Sequence, residues 1–299
     1  MFSRDQYELI DFGDGRRLER FGPLVIDRPC PAAEAFDRAD PGNWENTDAR
    51  FERNEGDEGT WTAEAGIPDR WNVVHGAVAL ELRRSPVGHL GIFPEQAANW
   101  DWIAGEVQKC VAQSHEPPKV LNLFAYTGGS TLAAAAAGAT AVHVDAAKNT
   151  IARARRNAEL SGLAGRPIRW IADDAVKFCK REVHRGSTYD AVILDPPSYG
   201  HGARGEVWRL SKHLSRLLGL CAQLTADRRR FMLLTCHTPG YDPAKLKQMV
   251  LDAVKHEGFA SAREMTIRSA SGRELPSGVV VRWGPDPPPP CTDPLFCET

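Results

Sequence analysis

The 299-residue chain has no apolar run long enough to cross a bilayer, and its longest bland stretch, Leu132 to Ala137, is mostly alanine. Residues Met1 to Gln6 have no apolar core and carry an acid at Asp5, so they do not read as a secretory signal. An excess of charge is also missing. Lys and Arg number 37 against 39 Asp and Glu, leaving a formal net charge of −2. That excludes a uniformly basic nucleic-acid coat but leaves room for a local basic face. The seven cysteines, at positions 30, 110, 179, 221, 236, 291 and 297, form no C-x-x-C pair. Neither a zinc ribbon nor a disulfide framework follows, and reduced thiols in a cytoplasmic protein are the expectation. The histidines lack ligand spacing, so no metal is expected.

Hydrophobic residues make up 42% and charged residues 25%, an ordinary globular balance. The texture divides the chain into a small β-rich N-terminal domain (1–90), a larger domain (91–285) and a Pro-rich tail (286–299). In the first part, Leu24 to Ile26, Trp71 to Val74 and Val78 to Leu82 read as short strands, and Phe51 to Glu58 as a polar loop. The tail contains Pro287 to Pro290 and cannot pair in a sheet.

From about residue 117 strands and helices alternate. Val120–Phe124, Ala141–Val144, Ile168–Ala172, Ala191–Leu194 and Phe231–Thr235 read as strands. Between them fall an alanine-rich helix ended by Gly138, a basic-faced helix from Ala147 to Ser161, and helices over Asp174–His184 and Val207–Leu224. A helix over Pro243–Glu257 and two strands, Met265–Arg268 and Val279–Trp283, around a Gly272 turn close the domain. Alternation of this kind implies parallel pairing through right-handed crossovers, hence an α/β fold with a doubly wound, Rossmann-like, mostly parallel sheet. Ligands in such sheets bind beyond the carboxyl ends of the strands.

Four strand ends carry chemistry. After the first comes Phe124-Ala125-Tyr126-Thr127-Gly128-Gly129, where two glycines let the backbone turn sharply beside a ligand. The G-x-G-x-x-G spacing of dinucleotide sites is missing, which weakens an oxidoreductase reading. Asp145 after the second strand suits the paired hydroxyls of a ribose or the cap of the next helix. Of Asp173 and Asp174 after the third, Asp174 is favoured for an adenine amine and Asp173 for a turn or cap. The fourth end, Asp195-Pro196-Pro197-Ser198-Tyr199-Gly200, is the most specific signal. Its prolines are fixed in φ and have no N–H, so they present rigid carbonyls beside a carboxylate, an acceptor pair for an amino group. Tyr199 offers a ring for a flat base.

Residues 117–283 resemble a class I S-adenosylmethionine-dependent methyltransferase, with these four features in the family's order. Gly88-His89-Leu90-Gly91-Ile92-Phe93-Pro94-Glu95-Gln96, Leu121 to Gly128, Asp195 to Gly200 and Asp14 to Gly22 are similar to bacterial methyltransferases related to those modifying 23S ribosomal RNA. The resemblance implies S-adenosylmethionine as cofactor and RNA as partner, with no membrane. It places Phe124 to Gly129 against the methionine portion, Asp145 on the ribose and Asp174 at the adenine. Phe93, Gln96 and Trp100 would close the donor pocket, with Lys148 flanking Asp145. Asp195, Pro196, Pro197, Ser198 and Tyr199 would hold the acceptor. Transfer to a base nitrogen needs no covalent intermediate. Transfer to cytosine C5 needs a cysteine nucleophile, for which Cys236 beside His237 is the candidate. Arg204, Arg209, Lys212 and Arg216 form a basic stripe, either phosphate contacts or a solvated helix face. Arg228 to Arg230 read as a charged loop. A non-catalytic binding protein and a small-molecule or protein methyltransferase are the alternatives.

Overall fold

The computed structural model describes every residue except 55, 57, 115, 202–204, 206 and 288–299, and the side chain of 201. Arg204 and most of the Pro-rich tail therefore lie outside the described residues. By compactness the chain forms two units. One comprises Met1–Asp101, Arg155–Ala164 and Thr266–Ser277. The other comprises Trp102–Ala154, Gly165–Met265 and the chain from Gly278 onward.

The first unit holds a five-stranded sheet in the order β1 (Tyr7–Gly13), β2 (Arg16–Phe21), β3 (Leu24–Pro29), β4 (Ala49–Arg53) and β5 (Gly59–Ala63). A separate hairpin pairs β6 (Arg70–His75) with β7 (Val78–Arg83). The polar loop expected over Phe51–Glu58 is corrected here. Phe51 to Arg53 belong to β4, because Ala49 and Phe51 alternate inward and are both buried. Two strands not anticipated from the sequence, β1 and β2, pair as a hairpin with an irregularity between Leu9 and Asp11. Inside this sheet the buried Glu19 accepts hydrogen bonds from Tyr7 Oη at 3.0 Å and Arg28 Nε at 3.0 Å. Burial of that carboxylate is tolerated because its oxygens are paired.

The second unit is built on a seven-stranded sheet. In chain order the elements are α1 (Ala97–Ser114), β8 (Lys119–Leu123), α2 (Gly129–Ala136), β9 (Thr140–Asp145), α3 (Lys148–Leu160), β10 (Ile168–Ala172), α4 (Ala175–His184) and β11 (Ala191–Leu194). After them come β12 (Tyr199–His201), β13 (Val207–Arg209), α5 (Leu210–Thr225), β14 (Phe231–Cys236), α6 (Pro243–Ala253), β15 (Phe259–Arg268) and β16 (Glu274–Gly284). The sheet order is β10-β9-β8-β11-β14-β16-β15, with β8 to β11 and β14 mutually parallel and β16 antiparallel to β14. The α/β, doubly wound reading holds. The chain winds outward from β8 to β10, then returns to β11 on the other side of β8, so the order reverses at β8.

Strand alternation sorts the apolar residues onto two faces. Leu121, Leu123, Val192, Leu194, Met232 and Leu234 pack with Leu214, Leu217 and Leu218 of α5 and Leu246 and Val250 of α6. Val120, Ala191, Ile193, Phe231 and Leu233 pack with Ile103 and Val107 of α1 and Ala134 of α2. Both faces are covered, so these strands read as continuous hydrophobic runs. The helix expected over Val207–Leu224 starts later. Val207 to Arg209 form β13, paired antiparallel with Tyr199 to His201, and α5 begins at Leu210. Apolar Val207 and Trp208 continue the hydrophobic pattern of α5, which hides the boundary in the sequence.

The opposite ends of the strands are also tied. Asp190 Oδ2 accepts from Lys119 N at 2.7 Å, and Oδ1 accepts from Arg228 Nε at 2.8 Å. Arg229 donates to Thr225 Oγ1 and the Ala222 carbonyl, and lies 5.2 Å from the Trp283 ring centroid. The charged loop at Arg228 and Arg229 is thus an anchor at the foot of β14. Asp190→Asn should lower stability by about 1–3 kcal/mol, since the part-buried Lys119 N–H and the guanidinium lose an ionised acceptor. Urea unfolding measures this.

Candidate active site

The tips of β8, β9, β10, β11 and β14 lie at one edge of the sheet, because the strands are parallel. Each carries polar groups that the apolar faces cannot house. Past β8 the backbone leaves extended geometry at once: Phe124 and Tyr126 have φ of 57° and 49°, and Gly128 has φ of 96°. Positive φ at two non-glycine residues is strained and is held by neighbours. Ala125 N donates to Val144 O at 3.1 Å, and Tyr126 N donates to Asp145 Oδ2 at 2.9 Å. At Gly128 a Cβ would stand 3.2 Å from the Ala154 Cβ, so glycine permits close packing of α2 on α3. Thr127 is buried, whereas Phe124, Tyr126 and Gly129 are half-buried.

Beneath this loop runs a buried polar chain that sequence reading missed. Asn122 Nδ2 donates to Thr131 Oγ1 at 2.9 Å, and Thr131 Oγ1 lies 2.9 Å from His143 Nδ1. Burial lowers the His143 pKa to about 3, so the ring stays neutral. The signal was a single polar residue inside each of two apolar strands, Asn122 in β8 and His143 in β9.

Asp145 is half-buried at the tip of β9. Oδ1 accepts from Ala147 N at 2.9 Å and Oδ2 from Tyr126 N, leaving each oxygen a further lone pair. Burial raises its pKa, with the two N–H groups partly offsetting this. At the tip of β10, Asp174 caps α4 by accepting from Lys177 N at 2.8 Å. The cap expected of Asp173 is therefore Asp174's. Asp173 instead accepts from Asp174 N and pairs with Arg181. Asp174 Oδ2 has no partner among the described residues. Lys148 is exposed at the start of α3.

The corner after β11 is fixed on two sides. Thr235 Oγ1 donates to Asp195 Oδ1 at 2.6 Å, and His237 Nε2 lies 3.3 Å from the same oxygen. Burial pushes the Asp195 pKa up, but the His237 hydrogen bond and charge and the Thr235 hydroxyl outweigh it and hold the carboxyl below its ordinary value. Ser198 Oγ lies 2.7 Å from Thr238 Oγ1. From the other side, Trp208 Nε1 donates to the Pro197 carbonyl at 2.6 Å, and Leu210 N donates to the Ser198 carbonyl. Trp208 also packs on Phe124, ring centroids 4.9 Å apart, so one side chain touches both the β8 loop and the β11 corner. The Pro196 carbonyl accepts no hydrogen bond among the described residues. Tyr199 is 50% exposed.

Cys236 is buried at the end of β14. It is 1% exposed, sits in the apolar layer with Leu194 and Leu234, and burial raises its pKa. His237, expected to activate it, is turned to Asp195. Phe93, Gln96 and Trp100 lie in the first unit. Phe93 precedes the turn Pro94–Gln96 and meets the His89 ring edge-on, with 5.4 Å between centroids. Gln96 Oε1 accepts from Asn99 Nδ2, and Trp100 packs on Phe2 and His75.

A family model described as S-adenosylmethionine-dependent methyltransferase matches residues 57–257, most of the chain. The chain belongs to this family. A solved S-adenosylmethionine-dependent methyltransferase from Agrobacterium tumefaciens is 35% identical with a TM-score of 0.87, covering 94% of this chain and 90% of that one. A Streptococcus mutans structure assigned to the same class shares the fold, with 16% identity, a TM-score of 0.71, and coverage of 93% and 75%. Among curated proteins, ribosomal RNA large subunit methyltransferase I of Aeromonas salmonicida is 28% identical over 169 residues, 52% of this chain and 38% of that protein. Ribosomal RNA large subunit methyltransferase K/L of a Shewanella species is 30% identical over 120 residues, 39% of this chain and 17% of that protein. The chain thus spans well under half the length of these two relatives.

The donor set fits the methyltransferase's cofactor. Asp145 keeps spare acceptor capacity for two hydroxyls, and Asp174 keeps Oδ2 for an amine. Asp145→Ala should weaken binding of S-adenosylmethionine at least about tenfold, read by calorimetry. Because burial raises the Asp145 pKa, the affinity of the unaltered methyltransferase should fall on acidification at a pH above the ordinary carboxylate range, as the acceptor becomes protonated. Asp145→Asn should flatten that dependence. Trp208→Phe keeps a ring on Phe124 but removes the donor to Pro197. Methyl transfer should slow about tenfold with cofactor affinity little changed, a split that single-turnover kinetics and calorimetry resolve.

Proposed function

We propose that the methyltransferase transfers the methyl group of S-adenosylmethionine to a nitrogen of a base in RNA, with ribosomal RNA as the substrate class. The observation that carries this is the β11 corner: an ionised Asp195 beside an unengaged Pro196 carbonyl, on a turn with two prolines and hence no donors of its own there. Two adjacent acceptors match the two N–H bonds of an exocyclic amine. The names of the curated relatives support RNA. A cytoplasmic location accords with that substrate, and among the described residues no helix is long and apolar enough to cross a membrane.

S-adenosylmethionine supplies an electrophilic methyl on a sulfonium. The chain's residues supply position. Phe124 to Gly129 would flank the methionine portion, Asp145 the ribose and Asp174 the adenine. Asp195 and the Pro196 carbonyl would accept the amine N–H groups and aim the nitrogen lone pair along the line of displacement. When bound, S-adenosylmethionine would give up this methyl to the nitrogen and leave as its neutral thioether. The nitrogen then sheds one proton. Asp195, with its carboxyl held below the usual range, is a weak base, so its part is to orient the amine while the strongly acidic methylated nitrogen gives its proton to water.

The burial of Cys236 favours this over transfer to cytosine C5, which needs an exposed thiolate near the acceptor. Asp195→Ala should keep cofactor binding and lower methyl transfer by about a hundredfold or more. Cys236→Ala should retain most activity. Radiolabelled transfer to RNA followed by nucleoside mass spectrometry checks both. Label in 5-methylcytosine that disappears with Cys236→Ala would overturn the nitrogen assignment.

A further inference from the structure

One face beside the β11 corner lies outside the acceptor pair of Asp195 and the Pro196 carbonyl. Tyr199, the first residue of β12, is 50% exposed, and Val207 of β13 is 43% exposed, though both lie in a paired hairpin. Tyr199 stands opposite Arg209 in the register, and the Arg209 guanidinium carbon lies 5.9 Å from its ring centroid. Arg209 leads straight into α5, whose own start is closed by a local bond: Arg209 N donates to His213 Nδ1 at 2.9 Å. The next exposed positions of α5 are Ser211, Lys212, Ser215 and Arg216. Lys212 and Arg216 are one helical turn apart and share a face.

These cations differ from most others near the sheet. Arg181, Arg185, Arg228 and Arg229 are each paired with a carboxylate. The side chains of Lys212 and Arg216 have no hydrogen bond or ion pair among the described residues. No acid occurs anywhere in α5. In a chain of formal net charge −2, an acid-free helix whose described cations are unpaired, next to an exposed aromatic ring, is a local feature and not a consequence of overall charge.

We propose that this face binds single-stranded RNA flanking the methylated base. Tyr199 stacks the neighbouring nucleotide, Arg209 lies over that stack, and Lys212 and Arg216 contact successive phosphates. The inference rests on the RNA reading above and names the form in which the RNA is bound. The reason for a single strand is the ring. In a duplex both faces of each base are stacked on their neighbours, so a half-exposed tyrosine finds no free base face. An unpaired strand offers one at every nucleotide. The salt-dependent part comes from the two helix cations, which would displace condensed counterions.

The test uses the full chain and a fluorescein-labelled RNA dodecamer of mixed sequence, alone or annealed to its complement, with anisotropy followed over a salt series. The single strand should bind more tightly than the duplex. Tyr199→Ala should weaken it about tenfold, and Tyr199→Phe should restore binding, which a folding defect would not allow. The double variant K212Q and R216Q should reduce the slope of log affinity against log salt by about 1.4, at roughly 0.7 for each lost single-strand contact. Its calorimetric affinity for S-adenosylmethionine should stay unchanged. Equal binding of duplex and strand, an unchanged slope, or displacement of the RNA by an equal charge of polyglutamate would each overturn the proposal. Radiolabelled methyl transfer separates the two readings. Label entering RNA with an unaltered slope sinks this surface alone, and no label in any RNA sinks the reading beneath it.

Discussion

A sheet covered on both faces has nowhere to put polar side chains except its ends, and this constraint organises the second unit. Leu121, Val192, Met232 and their neighbours fill one layer, and Val120, Ile193 and Leu233 the other. Parallel pairing then sends every carboxyl tip to the same edge, where the polar residues collect. Asp145, Asp174 and Asp195 come from three strands, separated by 29 or fewer positions between successive members, and share an edge through topology rather than sequence proximity. A polar chain admitted within the layers, Asn122 to Thr131 to His143, has its members bonded to one another.

Two of these carboxylates are driven in opposite directions by their surroundings. Asp145 has two backbone N–H partners, and burial outweighs them, so its pKa rises. Asp195 has a hydroxyl and an imidazole, which together overcome burial and lower it. The difference fits the separate tasks proposed for them. A carboxylate that holds hydroxyls gains from strong basicity as an acceptor. One that orients an amine works best when it stays ionised and does not capture the proton released.

Much of the second unit is legible because its strands are buried runs bounded by turn residues. Ile168–Ala172 and Ala191–Leu194 are readable to the residue. Asp145 and Asp195 could be picked out as strand-end acids without knowing their partners. What could not be read is pairing at a distance. The strand Val207–Arg209 has the apolar content of the helix that follows, and only its register with Tyr199–His201 distinguishes it. Trp208 therefore escaped notice, although it joins Phe124 to the Pro197 carbonyl. In β4 the charged Arg50, Glu52 and Arg53 mask the inward alternation of Ala49 and Phe51. The choice between Asp173 and Asp174 as cap depended on a backbone geometry that two adjacent acids do not specify.

The antiparallel strand β16 shows how far such non-local dependence reaches. Gly278 has φ of 116°, and a Cβ there would lie 2.7 Å from the Cys236 carbonyl and 2.8 Å from His237 Nδ1. The absent side chain is what allows His237 to sit against the β16 backbone and turn Nε2 toward Asp195. Cys236 pairs with Val279 in the same ladder, which fixes its own side chain in the apolar layer. One strand, β16, thus sets two features at the β14 tip: the imidazole reaches the carboxylate, and the thiol is buried in the apolar layer. Backbone clearance and strand register thus set the surroundings of both His237 and Cys236, which their residue types alone do not reveal.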